Sequence, residues 1–318
     1  MLKEVSQAEW MATVAGSANY SIFVNPEFLA PIAFAYNYSL KYYLYNLNEK
    51  PVVGFACFCR GNRIKVPTHQ IYSGIWWDIK FNTIKYREVL IQAISLLKKK
   101  YSTIHFRLPP TFNDIRPFQW EGFSYKINYT YTRDTTALNF EYNIRSRVRK
   151  AAGAGITCGQ GQSFDEVWDF QYTDLKRFRR TDSYINQLGG LLKECHERRF
   201  LAVYEARLGD KMMGCACILI DRTTQKAYNL LIGSANSNYQ TGVQAMLYDF
   251  IFNDLQKQDI KEFDLYGADI KGVADFKASL GASLQPHYTV TYQKRKNQLA
   301  MFKEWIKDKL RKLRSRYF

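Results

Sequence analysis

The sequence predicts an α/β protein (α+β in looser usage) made of two copies of one unit, and three observations support this fold class. Strand, helix and turn signals recur at an offset of about 160 residues. Within each copy, strands surround one long helical pattern, which is typical of a mixed sheet with helices packed on it. The length of 318 residues leaves room for two domains at ~150 residues each.

The clearest part of the repeat is a strand preceded by a turn. The segment from Glu49 to Phe58 matches the segment from Gly209 to Ile218, with Gly-x-Ala-Cys in both. Each copy continues with a strand, a long helix and a short strand, which we predict at Gln70–Ile75, Thr83–Lys100 and Thr103–Leu108 in the first copy and at Ala227–Gly233, Thr241–Lys257 and Lys261–Tyr266 in the second. Similar segments around Phe118 and Phe276 close both copies. Four matches in one order indicate a duplication.

The repeat divides the chain into a first unit (1–135), a second unit (136–293) and a terminal segment (294–318). The second unit opens with a basic helical run, Arg145–Lys150, and Ser163 with Glu166 forms a capping box for the next helix, with a further helical pattern at Leu188–His196. The terminal segment has apolar residues at spacings of 3 and 4 and ten basic against two acidic side chains. It predicts a basic amphipathic helix that docks on the core or lies on an anionic membrane.

Composition narrows the class of protein. With 47% hydrophobic and 23% charged residues, disorder and low-complexity architectures are excluded. No apolar run approaches the ~20 residues of a membrane span, and the N-terminus lacks the apolar stretch of a secretory signal. The six cysteines show no C-x-x-C pair and predict buried free thiols. We therefore expect a cytoplasmic protein, with peripheral contact to the inner membrane face as an option.

The order of these elements resembles the two tandem GNAT-like domains of the Fem family, the aminoacyl transferases that build interpeptide bridges on peptidoglycan precursors. The resemblance covers about residues 20 to 292. Its most specific part is the strand Glu262–Gly267 followed by Gly272–Ala282, which looks like the family's G-[IV]-x-x-F-K-x-x-[FL]-G pattern. The basic helix at Asn143–Ala152 is similar to the helix that opens the family's second domain, and Asp114–Phe123 is similar to a group of bacterial Fem-like proteins.

Two departures from related patterns bear on the substrates. The stretch between 150 and 200 is too short for the coiled-coil arm of some Fem members, so an armless form is implied. The GNAT pyrophosphate loop, laid on Tyr239–Gln244, keeps only the central Gly242. Gln244 puts a side chain where a backbone N–H should approach phosphate, which weighs against acetyl-CoA at this loop. Fem enzymes also lack the loop.

Three residues are the catalytic candidates. Lys277 matches the family's lysine that stabilises the oxyanion of acyl transfer, whereas the corresponding position of the first unit is the neutral Gln119. Asp264 and Tyr266 lie on the face of their strand opposite Phe263. If that face lines the cleft, either can take the proton of an attacking amine. The alternative for each of the three is a surface side chain without a catalytic role. A lone histidine such as His287 is more often a structural residue than a catalytic base.

The candidate substrate-binding residues are basic, aromatic or glycine. Arg145, Arg147 and Arg149, together with the run Lys176–Arg180, predict a basic surface for the phosphates of a tRNA or nucleotide-linked ligand, or else a solvated helix face. The aromatic candidates are Tyr72, Trp76 and Trp77, which stack on an acceptor if they are exposed and otherwise pack in the core. The remaining candidate is the loop glycine, Gly242. The histidines show no metal-binding spacing, so we expect no metal and no bound cofactor.

These features favour a transferase that moves an acyl or aminoacyl group from aminoacyl-tRNA or acyl-CoA, as a co-substrate, to an amine of a cell-envelope precursor. One alternative is an acyl-CoA-dependent N-acyltransferase of envelope or capsular polysaccharide synthesis. Another is a non-catalytic module that binds nucleic acid or a membrane surface through its net charge of +16.

Overall fold

The computed structural model describes residues 1–80, 83–137, 140–234 and 241–294, and confirms the predicted α/β class. The strands are β1 (Leu2–Val5), β2 (Ser39–Leu47), β3 (Lys50–Arg60), β4 (Arg63–Lys65), β5 (Gly74–Trp77), β6 (Thr103–Leu108), β7 (Ser124–Asp134), β8 (Ile156–Gln160), β9 (Leu201–Leu208), β10 (Lys211–Asp221), β11 (Lys226–Ser234), β12 (Glu262–Asp264) and β13 (Ser283–Gln293). The helices are α1 (Gln7–Val14), α2 (Pro26–Ala35), α3 (Ile84–Lys100), α4 (Arg116–Trp120), α5 (Tyr142–Gly153), α6 (Phe164–Arg177), α7 (Asp182–Glu197), α8 (Val243–Lys257) and α9 (Lys271–Ser279).

The two units exchange their closing strands within one continuous sheet. The order along it is β1-β2-β3-β4-β6-β13-β7-β12-β11-β10-β9-β8, and β5 pairs with β3. Thus β13, the last strand of the second unit, extends the sheet of the first by pairing with β6. In return β7, the last strand of the first unit, pairs with β12 of the second, and β7 and β13 pair with each other. The sheet of each unit therefore includes a strand of the other unit.

Helices cover both faces of the sheet, but in different ways. On one face, α1, α2, α6 and α7 share a single hydrophobic cluster that spans both units. On the other face, α3 and α4 pack in one cluster and α5 and α8 in another. We call the first the shared face and the second the divided face. The candidate site lies where the shared face crosses from one unit to the other.

Helix starts follow the sequence signals. The Thr83 side chain caps α3 by accepting from the Tyr86 N–H at 3.0 Å, and the Ser163 hydroxyl caps α6 through Glu166 N–H, as the capping box predicts. Two predicted strands shift or shorten. The strand expected at Gln70–Ile75 begins only at Gly74, and the one expected at Lys261–Tyr266 ends at Asp264. The second difference matters, because the chain turns there into the candidate site.

The shared Gly-x-Ala-Cys motif is not structurally equivalent in the two units. Cys57 of β3 points to the divided face with α3, whereas Cys217 of β10 points to the shared face with α6 and α7. Side chains alternate along a strand, so a one-residue difference in register reverses the face. The sequence match therefore finds the right strands with the wrong register. Both thiols are buried and free, as predicted.

The predicted terminal helix at 294–318 lies outside the described residues, Lys294 excepted, so its docking or membrane contact stays a prediction, as does the division at 135 and 293. In the part of the chain that the structure describes, no helix is long and apolar enough to cross a membrane.

Candidate active site

The candidate site is built around the point where two parallel strands separate. β11 and β12 pair in parallel only as far as Tyr228 and Asp264. Beyond it, Leu230 forms a bulge on β11, because Cys217 pairs with Leu231 and Ile218 with Asn229. Within the described residues, the edge of β11 from Leu230 to Ile232 therefore has no strand partner on the β12 side. An open backbone edge can pair with an extended ligand that carries amide groups.

After β12 the chain reverses in a turn that is held by cross-links. Tyr266 and Gly267 both have left-handed backbones, with φ of 44° and 63°. This conformation is costly for tyrosine and persists only when surrounding contacts fix it. The Tyr266 N–H donates to the Asp264 carboxylate at 2.9 Å, and Asn229 Nδ2 donates to the Leu265 carbonyl at 3.4 Å. The turn thereby keeps its shape next to the open edge of β11.

Asp264 is a buried carboxylate with three hydrogen-bond donors. It lies on the shared face, opposite Phe263 and Leu265, as alternation predicts. Oδ2 accepts from the Tyr72 hydroxyl at 2.7 Å, and Oδ1 accepts from Thr130 Oγ1 and the Tyr266 N–H. Burial raises the pKa of Asp264, while these hydrogen bonds oppose the rise. A carboxylate offers about four acceptor positions, so one on Oδ2 is left for a substrate proton.

The carboxylate lines a cavity of about 760 Å³ between the two units. The first unit supplies the loop from Gly16 to Ser21, β5 and Pro109–Thr111, and the second supplies Thr223–Tyr228 and β12. The rings of Phe23, Tyr72 and Tyr228 pack against one another across this junction, with centroids 4.9 to 6.3 Å apart. A cavity of this size and apolar lining fits a small-molecule substrate.

The loop that walls the cavity is fixed by the second unit. A short 3-10 turn at Ile22–Val24 begins where the Ile22 N–H donates to the Asp221 carboxylate at 2.7 Å. Asp221 ends β10, so a buried carboxylate of one unit caps a turn of the other. Asn19 Nδ2 also donates to the Trp77 carbonyl at 2.8 Å. The cavity wall is therefore ordered before any ligand binds.

Sequence reasoning missed Arg107. It lies on β6 in the first unit, and its guanidinium donates to the Tyr266 hydroxyl at 2.8 Å and to the Gln70 carbonyl at 2.6 Å. The coulombic effect of Arg107 opposes the rise that burial causes in the pKa of Tyr266. No motif marked this arginine, because its partner is 159 residues away. Only the strand exchange brings the two together.

His287 packs beside the same group of residues. Its ring lies 5.5 Å from the Tyr72 ring and 6.1 Å from the Tyr266 ring. Burial lowers the pKa of His287 to about 4, with a further lowering by Arg107. Burial thus favours the neutral imidazole, and the two ring contacts are those expected of a packing residue.

Lys277 is neither a solvated surface lysine nor a free cation. It is 5% exposed, and its ammonium group donates to the carbonyls of Leu265, at 2.8 Å, Tyr266 and Gly267, at 3.0 Å. These three bonds use all three ammonium protons. Burial lowers the pKa of Lys277 to about 8. The structure thus gives Lys277 the role of holding the turn from the divided face, and an oxyanion role stays a prediction.

The predicted aromatic platform is buried rather than exposed. Trp76 is 3% exposed, and its indole N–H donates to Ser17 Oγ at 2.7 Å. Tyr72 and Trp77, at 1% and 7% exposed, line the cavity. Tyr72 and Trp77 are therefore part of the cavity wall, and Trp76 supports that wall. The two tryptophans are buried because the loop from Gly16 to Ser21 covers β5.

The predicted basic surface is divided into two clusters. Arg145, Arg147 and Arg149 are exposed on α5, which packs on the divided face. The run Lys176–Arg180 follows α6, which packs on the shared face. Among the described residues, the three arginines of α5 form no ion pair, whereas Lys176 pairs with Asp182 and Arg177 with Asp174.

One basic cluster contacts the end of β11, and the other contacts the start of α8. Arg177 donates to the Ser234 carbonyl at 3.4 Å, and the Arg147 carbonyl packs on Gly242 at the start of α8. Gly242 has φ of 84°, and a Cβ there would lie 2.2 Å from the Arg147 oxygen. The residue type at 242 is thus fixed by helix packing.

Comparisons with known proteins agree with this architecture. Residues 139–278 match the family described as acetyltransferase (GNAT) domain. No curated protein matches the sequence. In the described part of the chain, no group of His, Cys, Asp and Glu side chains is arranged to hold a metal ion.

Solved structures share the fold over nearly the whole chain at low identity. A crystal structure of FemX is 13% identical with a TM-score of 0.64, covering 91% of this chain and 96% of that one. The C-terminal domain of a putative lysylphosphatidylglycerol synthetase from Agrobacterium fabrum is 12% identical, with a TM-score of 0.56 and coverage of 93% and 94%. A tandem GNAT protein from the clavulanic acid biosynthesis pathway is 10% identical, with a TM-score of 0.54 and coverage of 94% and 100%. The protein therefore has the Fem-like fold of tandem GNAT domains that the resemblance implies.

Proposed function

We propose that this protein is an acyltransferase that moves an acyl or aminoacyl group onto the amine of a cell-envelope precursor, with Asp264 receiving the amine proton. The observation that carries the proposal is the buried Asp264 carboxylate, in the wall of a cavity of about 760 Å³ and beside the open edge of β11. The similarity in fold to FemX and to a putative lysylphosphatidylglycerol synthetase supports the envelope context.

The chemistry follows from which groups lie on each side of Asp264. The acceptor amine enters from the cavity, and the acyl donor lies along the edge of β11. The amine nitrogen attacks the carbonyl carbon of the ester or thioester, a C–N bond forms, and the C–O or C–S bond to the donor breaks. The amine proton passes to Asp264, whose burial raises its pKa and so makes it a better proton acceptor, and from Asp264 the proton passes to the departing oxygen or sulfur, which leaves as an alcohol or thiol.

Tyr72, Thr130 and Tyr266 orient the base during this step. Their three donors fix both carboxylate oxygens, and the fourth acceptor position receives the proton. Tyr72 belongs to the first unit and Tyr266 to the second, so the base is held by both. This accounts for a site at the junction, since neither unit alone positions the carboxylate.

The test is a transfer assay on the full chain with two donor classes, an aminoacyl-tRNA pool and a set of acyl-CoAs, read by mass of the acylated amine. Asp264→Asn is expected to lower kcat by about a hundredfold or more, the usual contribution of a positioned base. Asp114→Asn is the matched control, because Asp114 is also a buried carboxylate but pairs with Arg116 away from the cavity. Wild-type turnover in Asp264→Asn, or no transfer from either donor, would contradict the proposal.

The basic clusters offer a test of the donor class. The arginines of α5 favour a donor with several phosphates, and each phosphate neutralised on a single strand contributes about −0.7 to the slope of log affinity against log salt. Replacing Arg145 and Arg149 by Glu is expected to flatten this slope for aminoacyl-tRNA. If acyl-CoA is the donor, which the acetyltransferase domain match favours, the slope is shallow and the double variant changes it little.

A further inference from the structure

The residues that line the cavity indicate the chemical class of the acceptor, an inference that rests on the proposed function. The charged residues among those that line it in the described part of the chain are Lys226, Glu262 and Asp264. Lys226 Nζ pairs with Glu262 at 3.0 Å, so its charge is already neutralised. Arg107, whose guanidinium bonds the same turn as Asp264, is occupied by the Tyr266 hydroxyl and by backbone carbonyls. The cavity therefore lacks a cation for phosphate and retains one carboxylate for an amine.

The remaining lining consists of aromatic rings and hydroxyl or amide side chains. Tyr20, Thr132, Tyr228 and Gln285 line the cavity, and so does Thr224, whose buried hydroxyl has no hydrogen-bond partner among the described residues. Burial raises the pKa of Tyr20 to about 12, so its phenol remains neutral at physiological pH. These neutral donors and acceptors match a ligand rich in hydroxyl groups, because each buried hydroxyl of the ligand needs a partner.

The aromatic groups set the shape of such a ligand. The rings of Phe23, Tyr72 and Tyr228 form an apolar wall beside the Asp264 carboxylate. A pyranose ring has an apolar C–H face that packs on aromatic rings and an edge of hydroxyls that takes hydrogen bonds. An amine on that ring, reaching Asp264 Oδ2, completes the carboxylate's fourth acceptor position. A peptide amine on a long aliphatic chain leaves the hydroxyl groups of the cavity without partners.

We propose that the cavity binds an amino sugar, with its amine at Asp264 and without a phosphate group inside the cavity. Acylation then occurs on the sugar nitrogen. The substrate is a hydroxylated primary amine, and any nucleotide or lipid diphosphate attached to it lies outside the cavity, where the walls end.

The experiment measures binding by calorimetry of four probes to the full chain in the absence of donor. The probes are methyl glucosaminide, its N-acetylated form, cyclohexylamine and glucosamine 6-phosphate. We expect methyl glucosaminide to bind at least about tenfold more tightly than each of the others, because each lacks the amine, lacks the hydroxyls or adds an unpaired charge. Equal or tighter binding of glucosamine 6-phosphate or cyclohexylamine overturns the inference.

Two variants connect this preference to the cavity. Thr132→Val and Tyr228→Phe are expected to weaken methyl glucosaminide several-fold and to leave cyclohexylamine unchanged, since each removes one hydroxyl and keeps the shape. The matched control is Thr173→Val, because Thr173 is exposed on α6 and does not line the cavity. Thr223 lines the cavity and is therefore not suitable as a control. Unchanged binding of methyl glucosaminide in both cavity variants overturns the inference.

Failure of this inference and failure of the proposed function give different results. If a lysine-containing peptide is acylated while methyl glucosaminide neither binds nor reacts, the acyltransferase proposal stands and the amino sugar is wrong. If methyl glucosaminide binds as expected but no donor yields a product, the amino sugar site stands and the acyltransferase proposal is wrong.

Discussion

The guanidinium of Arg107 on β6 donates a 2.8 Å hydrogen bond to the hydroxyl of Tyr266, so the first unit holds the turn that shapes the site in the second. The same arginine donates to the Gln70 carbonyl at 2.6 Å, next to the segment that carries Tyr72. Arg107 therefore connects the two residues, Tyr72 and Tyr266, that orient the Asp264 carboxylate from opposite units.

Arg107→Met is expected to lower kcat by about tenfold or more while changing KM for the acceptor little, because a positioning residue affects the geometry of the base rather than ligand contact. Arg107→Lys, which keeps one cation, is expected to recover part of the loss. The measurement is steady-state kinetics with thermal unfolding in parallel. A variant with normal kcat and only a lowered Tm shows that Arg107 is purely structural.

Lys277→Met is expected to lower the free energy of unfolding by about 2 to 4 kcal/mol, because three carbonyl oxygens of the turn lose a charged donor. Gln119→Met, at the corresponding position of the first unit, is expected to change stability by less than about 0.5 kcal/mol, since Gln119 is exposed. Urea unfolding of both variants is the measurement. Equal effects at the two positions contradict the role in holding the turn.

Stability is expected to fall on acidification between about pH 6.5 and pH 4. Burial lowers the pKa of His287 and of His69 to about 4, below the value of 6.5 for an unfolded histidine. Between these values the unfolded chain binds a proton that the folded chain does not, so the free energy of unfolding drops as pH falls, by up to about 1.4 kcal/mol per pH unit for each histidine.

His287→Phe separates the two contributions, since phenylalanine keeps a ring against Tyr72 and cannot be protonated. The slope of the free energy of unfolding against pH is expected to become shallower by about one proton in this variant. An unchanged slope shows that His287 is not neutral in the folded protein at these pH values.

Gly242→Ala is expected to destabilise the protein by at least about 1 kcal/mol, since alanine disfavours the left-handed backbone and its Cβ would lie 2.2 Å from the Arg147 carbonyl oxygen. Gly272→Ala is the matched control in the first turn of α9. A Cβ there meets nothing within 4 Å, and alanine is the better helix former, so this variant is expected to be neutral or slightly stabilising. Thermal unfolding of both variants is the measurement, and equal shifts contradict the packing of α5 on Gly242.

Local signals in the sequence predicted elements and faces correctly where neighbours along the chain decide them. The helix at Ile84–Lys100 begins after its Thr83 cap, and Asp264 lies opposite Phe263 because side chains alternate along a strand. The duplication predicted two units, and the family resemblance implied the Fem-like fold. Alternation along the predicted strand selected Asp264 and Tyr266, and the structure places Asp264 in the wall of the cavity.

Long-range contacts decided the rest. The exchange of β7 and β13 brings Tyr72 to Asp264 across 192 residues and Arg107 to Tyr266 across 159, and neither the periodicity of a helix or strand nor a local motif predicts a contact at such separations. The contacts of Lys277 could not be predicted either, because its three carbonyl partners converge only when Tyr266 and Gly267 adopt left-handed backbones. Sequence determines which side chains are available along each strand and helix. Tertiary structure alone decides which of them share a cavity, because burial and hydrogen bonding depend on distance in space and not on separation along the chain.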